Sequence, residues 1–115
     1  MKYISTDNTN GRVGFKEAVL KGLAPGGGLF VPEKIPQVDT AFFDKLDSFS
    51  IRDLANTLMQ PFVSNDLSDA RLSSVIEHTF QFDIPGKRSG ETDIHVLGLF
   101  HGPTWAFKGV GARFL

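Results

Sequence analysis

The chain has 115 residues, 12 Lys+Arg against 13 Asp+Glu, and a formal net charge of -1 with neutral histidines. That length suits one small domain; a 41% hydrophobic, 22% charged composition excludes wholesale disorder, and the lack of a basic block excludes nucleic acid or an anionic membrane as the main partner. With no cysteine, a disulfide framework, a thiolate zinc site and a cysteine nucleophile are excluded as well. No apolar run approaches the roughly 20 residues of a membrane span. The start, Met1-Lys2-Tyr3-Ile4-Ser5-Thr6, lacks the apolar stretch of a secretory signal, so a cytoplasmic location is expected. Eleven phenylalanines stand beside a single Trp105 and a single Tyr3. Phenylalanine has no polar handle, so this bias predicts burial.

In chain order, Lys2 to Thr6 reads as a short strand, followed by a polar turn over residues 7–11. From Val13 on, Phe15, Ala18, Val19 and Leu23 recur at helical spacing, and Gly22 stands where a left-handed cap belongs. Ala24-Pro25-Gly26-Gly27-Gly28 breaks this helix, and Leu29-Phe30-Val31 reads as an extended piece tied to the core. Three prolines by Pro36 forbid another helix there. Thr40 is the expected cap of a short turn carrying Phe42, Phe43 and Leu46. Ser50 then precedes Ile51, Leu54, Ala55, Leu58, Met59 and Phe62, the best helical stripe in the chain, with Asp53 facing the free amide groups of its first turn. Pro61 should end or kink it. A second amphipathic helix begins at Ser68 or Asp69, with Leu72, Val75, Ile76, Thr79 and Phe80 on one face, and stops by Asp83-Ile84-Pro85-Gly86.

The polar, turn-rich stretch from Pro85 to Asp93 marks a candidate domain boundary. Ile94 to Phe100 is almost continuously apolar and β-prone, which predicts a strand covered on both faces, as in an α/β sheet. No neighbouring strand is evident from the sequence. A turn, His101-Gly102-Pro103-Thr104, and a helix-like tail from Trp105 to Leu115 follow, so strand and tail resemble the first β-loop-α unit of a larger domain.

The chemistry concentrates in Leu99 to Gly111. Thr104 is positioned to cap the tail helix, and Lys108 falls near its first turn, between aromatic side chains at Trp105 and Phe107. Desolvation and the positive end of the helix dipole both disfavour an ammonium ion, the setting a Schiff-base lysine requires. Spacing alone favours the plainer alternative of a solvated surface lysine. Gly109 and Gly111 each weaken a helix by about 1 kcal/mol relative to alanine, which implies a neighbour close to the backbone, either a flat cofactor ring or an adjacent helix. Other candidates are structural on balance. Gly26-Gly27-Gly28 is not followed by a helix N-terminus, as a phosphate cradle would be. His78, His95 and His101 lack a metal-ligand spacing, so no metal site is expected.

The segment Phe100-His101-Gly102-Pro103-Thr104-Trp105-Ala106-Phe107-Lys108 resembles the cofactor-lysine motif of the threonine synthase family, pyridoxal-phosphate enzymes of fold type II. Lys2-Tyr3-x-Ser5-Thr6, Phe15-Lys16-Glu17-Ala18-Val19 and the run from Gly22 to Pro32 are similar to that family's N-terminal domain in order and spacing. The resemblance spans the whole chain. It implies an α+β fragment: a mostly helical N-terminal domain over 1–86 and the incomplete start of an α/β catalytic domain over 87–115.

It further implies that the full-length enzyme is a lyase of threonine biosynthesis converting O-phospho-L-homoserine and water to L-threonine and phosphate. Lys108 would be catalytic, and Lys108, Phe107 and Thr104 would contact the cofactor. Pyridoxal phosphate is expected on the complete enzyme and not on this piece alone, which should be inactive. Alternatives are a related phospholyase releasing 2-oxobutyrate and a non-catalytic helical interaction module. The unpaired strand over 94–100 should promote self-association. Two departures stand out: Gly98 and Gly109 replace a Glu and an Asp usual in the family, so an acid restored at position 109 should raise turnover if the glycine is a lesion.

Overall fold

A computed structural model describes residues 1–8 and 11–115; the turn predicted over 7–11 falls in part on Thr9 and Asn10, outside the described residues. The elements are β1 (Tyr3–Ser5), α1 (Phe15–Lys21), β2 (Phe30–Pro32), α2 (Thr40–Phe43), a 3-10 turn (Leu46–Ser48), α3 (Ile51–Val63), α4 (Asp69–Thr79), β3 (Gly86–Arg88), β4 (His95–Leu97) and α5 (Lys108–Phe114). Helices with short antiparallel pairs make an α+β chain, as expected. No helix among the described residues is long and apolar enough to cross a membrane. The chain divides into compact units Met1–Ser73 and Ser74–Leu115, so the division falls within α4, ahead of the composition change at 86/87.

In the first unit β1 pairs antiparallel with β2, placing Tyr3 opposite Pro32 and Ser5 opposite Phe30. Val13, read from the sequence as the start of a helix, instead exchanges two backbone hydrogen bonds of 3.0 Å with Tyr3. Helix α1 starts after it, and Gly22 ends it at φ 70°, with its N–H donated to the Ala18 carbonyl. Only Ala18 of this helix is buried; Val19 and Leu23, expected on its apolar face, are exposed. Tyr3, Val13 and Ala18 form a small core against which Met1, Phe15 and Phe30 pack. The Tyr3 hydroxyl donates to the Phe62 carbonyl at 3.2 Å. Burial, and secondarily the Asp66 carboxylate, hold that hydroxyl above the ordinary tyrosine range.

The phenylalanine bias does not translate into burial. No Phe is among the buried residues, and Phe43, Phe100 and Phe107 are exposed. The buried positions belong to smaller side chains, with Val63, Leu72 and Ile76 almost fully covered, each contributing about 1.5–3 kcal/mol relative to exposure. Rings cluster instead at half-buried sites, with Phe42 5.5 Å from both Phe43 and Phe49.

Caps decide the helix starts. Asp39, not Thr40, caps α2 by accepting from Phe42 N–H at 2.9 Å. Ser50 and Asp53 form a reciprocal capping box on α3, as their spacing predicts. Two hydrogen bonds from Ser50, first from its hydroxyl and then from its backbone, hold the Asp53 carboxyl below the usual range. A depressed folded pKa gives stability that is present above the unfolded value of 3.8 and lost as pH falls through the folded one. Ser50→Ala is therefore expected to destabilise the first unit by about 1 kcal/mol in urea titrations at pH 7, with the difference from the parent shrinking as the solution is acidified below pH 3.8. Helix α3 runs past Pro61 to Val63, because a proline in the last turn forfeits one hydrogen bond while Ser64 N–H still reaches Gln60.

The second unit corrects the unpaired strand expected over 94–100. Only His95–Leu97 is β, every residue of it is exposed, and its partner is β3, from the stretch read as a boundary loop. Lys87 faces Val96 and Arg88 faces His95 in antiparallel register. The turn closes through Ser89 N–H on the Ile94 carbonyl at 2.9 Å and an Arg88–Asp93 ion pair at 3.0 Å. An apolar, β-prone run signals pairing; whether anything covers its faces depends on elements distant in sequence.

Candidate functional site

The segment from Gly98 to Gly109 is packed through its glycines. Gly98, Gly102 and Gly109 are buried while their neighbours from Pro103 to Lys108 are exposed. A Cβ at Gly98 would stand 3.2 Å from His101 Nε2 and 3.3 Å from the Pro85 ring. One at Gly102 would lie 2.8–3.2 Å from the Phe82 ring. At Gly109 the Thr104 hydroxyl occupies the place a Cβ would take. The protein neighbour of the glycine next to Lys108 is thus a threonine three residues before Phe107.

The turn closes through Trp105 N–H on the Gly102 carbonyl at 3.0 Å and holds Trp105 at φ 52°, a strained backbone for a bulky residue. Helix α5 then starts at Lys108 itself. Its N-cap is Phe107, with no side-chain cap, so the capping role expected of Thr104 is not realised; the Thr104 hydroxyl is 3.4 Å from the Ala106 carbonyl and packs on Gly109. The opening is tight: Gly109 N–H bonds Ala106 at 3.0 Å and Val110 N–H bonds Phe107 at 3.2 Å, both three residues back.

At its far end α5 is tied down by Arg113, which donates to the Thr79 carbonyl at 3.3 Å, to the Gln81 side chain at 2.8 Å and to the His78 carbonyl. The fully buried Thr79 hydroxyl contacts the Arg113 carbonyl at 3.2 Å. These bonds satisfy carbonyls at the C-terminal end of α4 that have no partner within the helix. Sequence reasoning missed Arg113 and Phe82, because nothing in local spacing announces a cap supplied from more than thirty residues away.

Lys108, Phe107 and Thr104, the three predicted site residues, lie together on this turn and helix start, all exposed. The desolvation expected around Lys108 is absent: Phe107 is 64% and Trp105 82% exposed, so the aromatic neighbours do not wall off the amine. Lys108 makes no hydrogen bond or ion pair among the described residues. The His101 ring lies 4.5 Å from that of Phe100, tilted by 52°. No group of metal-binding side chains gathers among the described residues.

The glycine loop near residue 28 is closed by the chain's own anion. Gly28 N–H donates to the Asp7 carboxylate at 2.9 Å, Ser5 hydrogen-bonds the same carboxylate, and Leu29 N–H donates to the Thr6 hydroxyl at 2.9 Å. The structural interpretation of this loop holds.

In this α+β chain a lysine opens a helix on a glycine-packed turn after a β-strand. The family model described as "Threonine synthase N terminus" matches residues 2–80, and the chain belongs to the threonine synthase family. It is 37% identical to the threonine synthase of Saccharomyces cerevisiae over 98% of this chain and 24% of the relative, and 35% identical to that of Pseudomonas aeruginosa over 100% and 25%. Among solved structures, threonine synthase from Escherichia coli superposes with a TM-score of 0.90 at 30% identity, covering 99% of this chain and 26% of that one. Pyridoxal-phosphate-bound threonine synthase from Brucella melitensis superposes at 0.88 with 33% identity, covering 98% and 26%. The chain spans about a quarter of the length of the relatives it matches.

Proposed function

We propose that these residues form the N-terminal part of a pyridoxal-phosphate-dependent threonine synthase, a lyase that converts O-phospho-L-homoserine and water to L-threonine and phosphate. The observation that carries this is the free Lys108 amine at the first position of α5. The residues fit the cofactor: an aldehyde needs an accessible primary amine without an ion-pair partner, and the Thr104 hydroxyl and exposed Phe107 ring supply polar and flat contacts on the same turn. When bound, pyridoxal phosphate supplies an electron sink for carbanions beside the substrate's amino group.

Lys108 has two tasks. Its amine would hold the cofactor aldehyde and, when free, would move protons at the substrate's α- and β-carbons. Thr104 and Phe107 line the site around it. Residues 1–86 are assigned to the N-terminal domain and 87–115 to the start of the catalytic domain, consistent with a family match that ends at residue 80. Most of the length of the relatives lies outside the matched region, so the 115 residues alone are expected to hold no stable cofactor and to be inactive. Isolated, they should self-associate through 94–100, where Ile94, Val96 and Leu97 are exposed. The proposed activity is that of a cytoplasmic enzyme acting on a small molecule.

Full-length protein incubated with O-phospho-L-homoserine and pyridoxal phosphate should release phosphate and L-threonine in equal amounts. Phosphate accompanied by 2-oxobutyrate would instead identify a phospholyase, and no phosphate at all would overturn both assignments.

A further inference from the structure

Building on the assignment of Lys108 above, we infer that Gly109 is a positioning residue: its bare Cα seats the Thr104 hydroxyl on the first turn of α5, making that hydroxyl the polar group that accompanies the cofactor lysine. The Thr104 oxygen stands where any other residue at 109 would place its Cβ, so a side chain there and the hydroxyl in its present place exclude each other.

The surrounding structure leaves little room to avoid that conflict. Arg113 pins the far end of α5 to the α4 carbonyls, so the helix cannot back away. The first turn is held by the short-range bonds of Gly109 and Val110. Thr104 lies between Pro103, whose ring fixes φ, and Trp105, already at φ 52°. A β-branched side chain in that position has few rotamers, so moving the oxygen off Gly109 means leaving its present χ1 well. Gly109 is buried although Thr104 and Lys108 on either side of the contact are exposed, which is the signature of a backbone kept bare for a neighbour. A side chain at 109 and the hydroxyl in its present position are therefore alternatives. Gly109→Asp alone would displace Thr104 and is not expected to raise turnover.

The test compares full-length parent, Gly109→Ala, Thr104→Val and the double variant. Cofactor capture is read as the pyridoxal phosphate concentration that half-saturates the visible band, and as borohydride-fixed label on the peptide containing residue 108; thermal melting is measured in parallel. Each single variant is expected to raise the half-saturating concentration about tenfold, the scale of one lost hydrogen bond, while the double variant is no worse than either single. The inference is overturned if Gly109→Ala lowers melting but captures cofactor like the parent, if Thr104→Val captures like the parent, or if the double variant loses the product of the two effects. Should Gly109→Ala not accumulate folded, Thr104→Val, which keeps shape and glycine alike, decides alone. A parent that fixes no label on residue 108 brings down the assignment of Lys108 and this inference with it; a labelled parent with unaffected variants brings down only the role of Gly109.

Discussion

Lys108→Ala in the full-length protein is expected to abolish the visible band of bound pyridoxal phosphate and to lower turnover of O-phospho-L-homoserine by at least ~10³-fold, the order seen when a covalent catalytic group is removed. The fold should be indifferent to the change. Lys108 is exposed and without a hydrogen-bond or ion-pair partner among the described residues, so its truncation removes no packing and leaves no orphaned charge. Surface substitutions of that kind stay within about 0.5 kcal/mol. Melting temperature and turnover should therefore separate cleanly. Lys108→Arg makes the distinction sharper, since it keeps the positive charge at the start of α5 but offers no primary amine. If charge alone mattered there, Arg would restore function; the expected result is that it does not. A Lys108→Ala protein that still fixes borohydride-stable label on another lysine would show that the amine at 108 is not the one that holds the cofactor.

The second large effect is expected at Gly28. A Cβ at this position would lie 2.6 Å from both Asp7 Cγ and Ser5 Oγ and 2.9 Å from the Asp7 backbone nitrogen. The Asp7 carboxylate is held there by Gly28 N–H and by Ser5, whose side chain is buried, and β1 and β2 pair immediately beside it. Backbone on one side and a clamped carboxylate on the other leave no soft direction, so Gly28→Ala should destabilise the first unit by about 1–3 kcal/mol. Gly27→Ala is the control: it meets nothing within 4 Å but has φ +87°, and should lose only about 1 kcal/mol from the backbone conformation. Equal melting of parent and Gly28→Ala would contradict the clamp. Inorganic phosphate should not protect the parent against urea, because the amide an anion would seek at Gly28 already binds a carboxylate.

What could be read from the chain alone was local. The Ser50–Asp53 box, the Gly22 cap, the α3 helix and the extended pieces at Tyr3 and Phe30 each follow from residue types within one turn or one strand, and the structure contains them. The lysine segment was legible for the same reason, as a contiguous motif whose side chains the turn keeps together. Several expectations failed where a partner comes from afar or coverage is at issue. Ile94 to Phe100 has no strand partner evident in the sequence, yet its β4 pairs with β3 across a charged hairpin. The phenylalanines are suited to a core but lie at its edge, because the tightest positions admit Val63, Leu72 and Ile76.

The sequence by itself determined where α3 starts and where α1 ends, which lysine is set at a helix opening, and that neither thiol nor disulfide chemistry is available in these residues, since these depend on neighbours a few residues apart. Only the tertiary structure decided that Arg113 holds the C-terminal end of α4, that Asp7 fills the glycine loop, and that Thr104 rests on Gly109 instead of capping α5. Those contacts depend on which surfaces meet when the chain closes on itself, and on how much room a missing Cβ leaves, neither of which hydrophobic periodicity encodes.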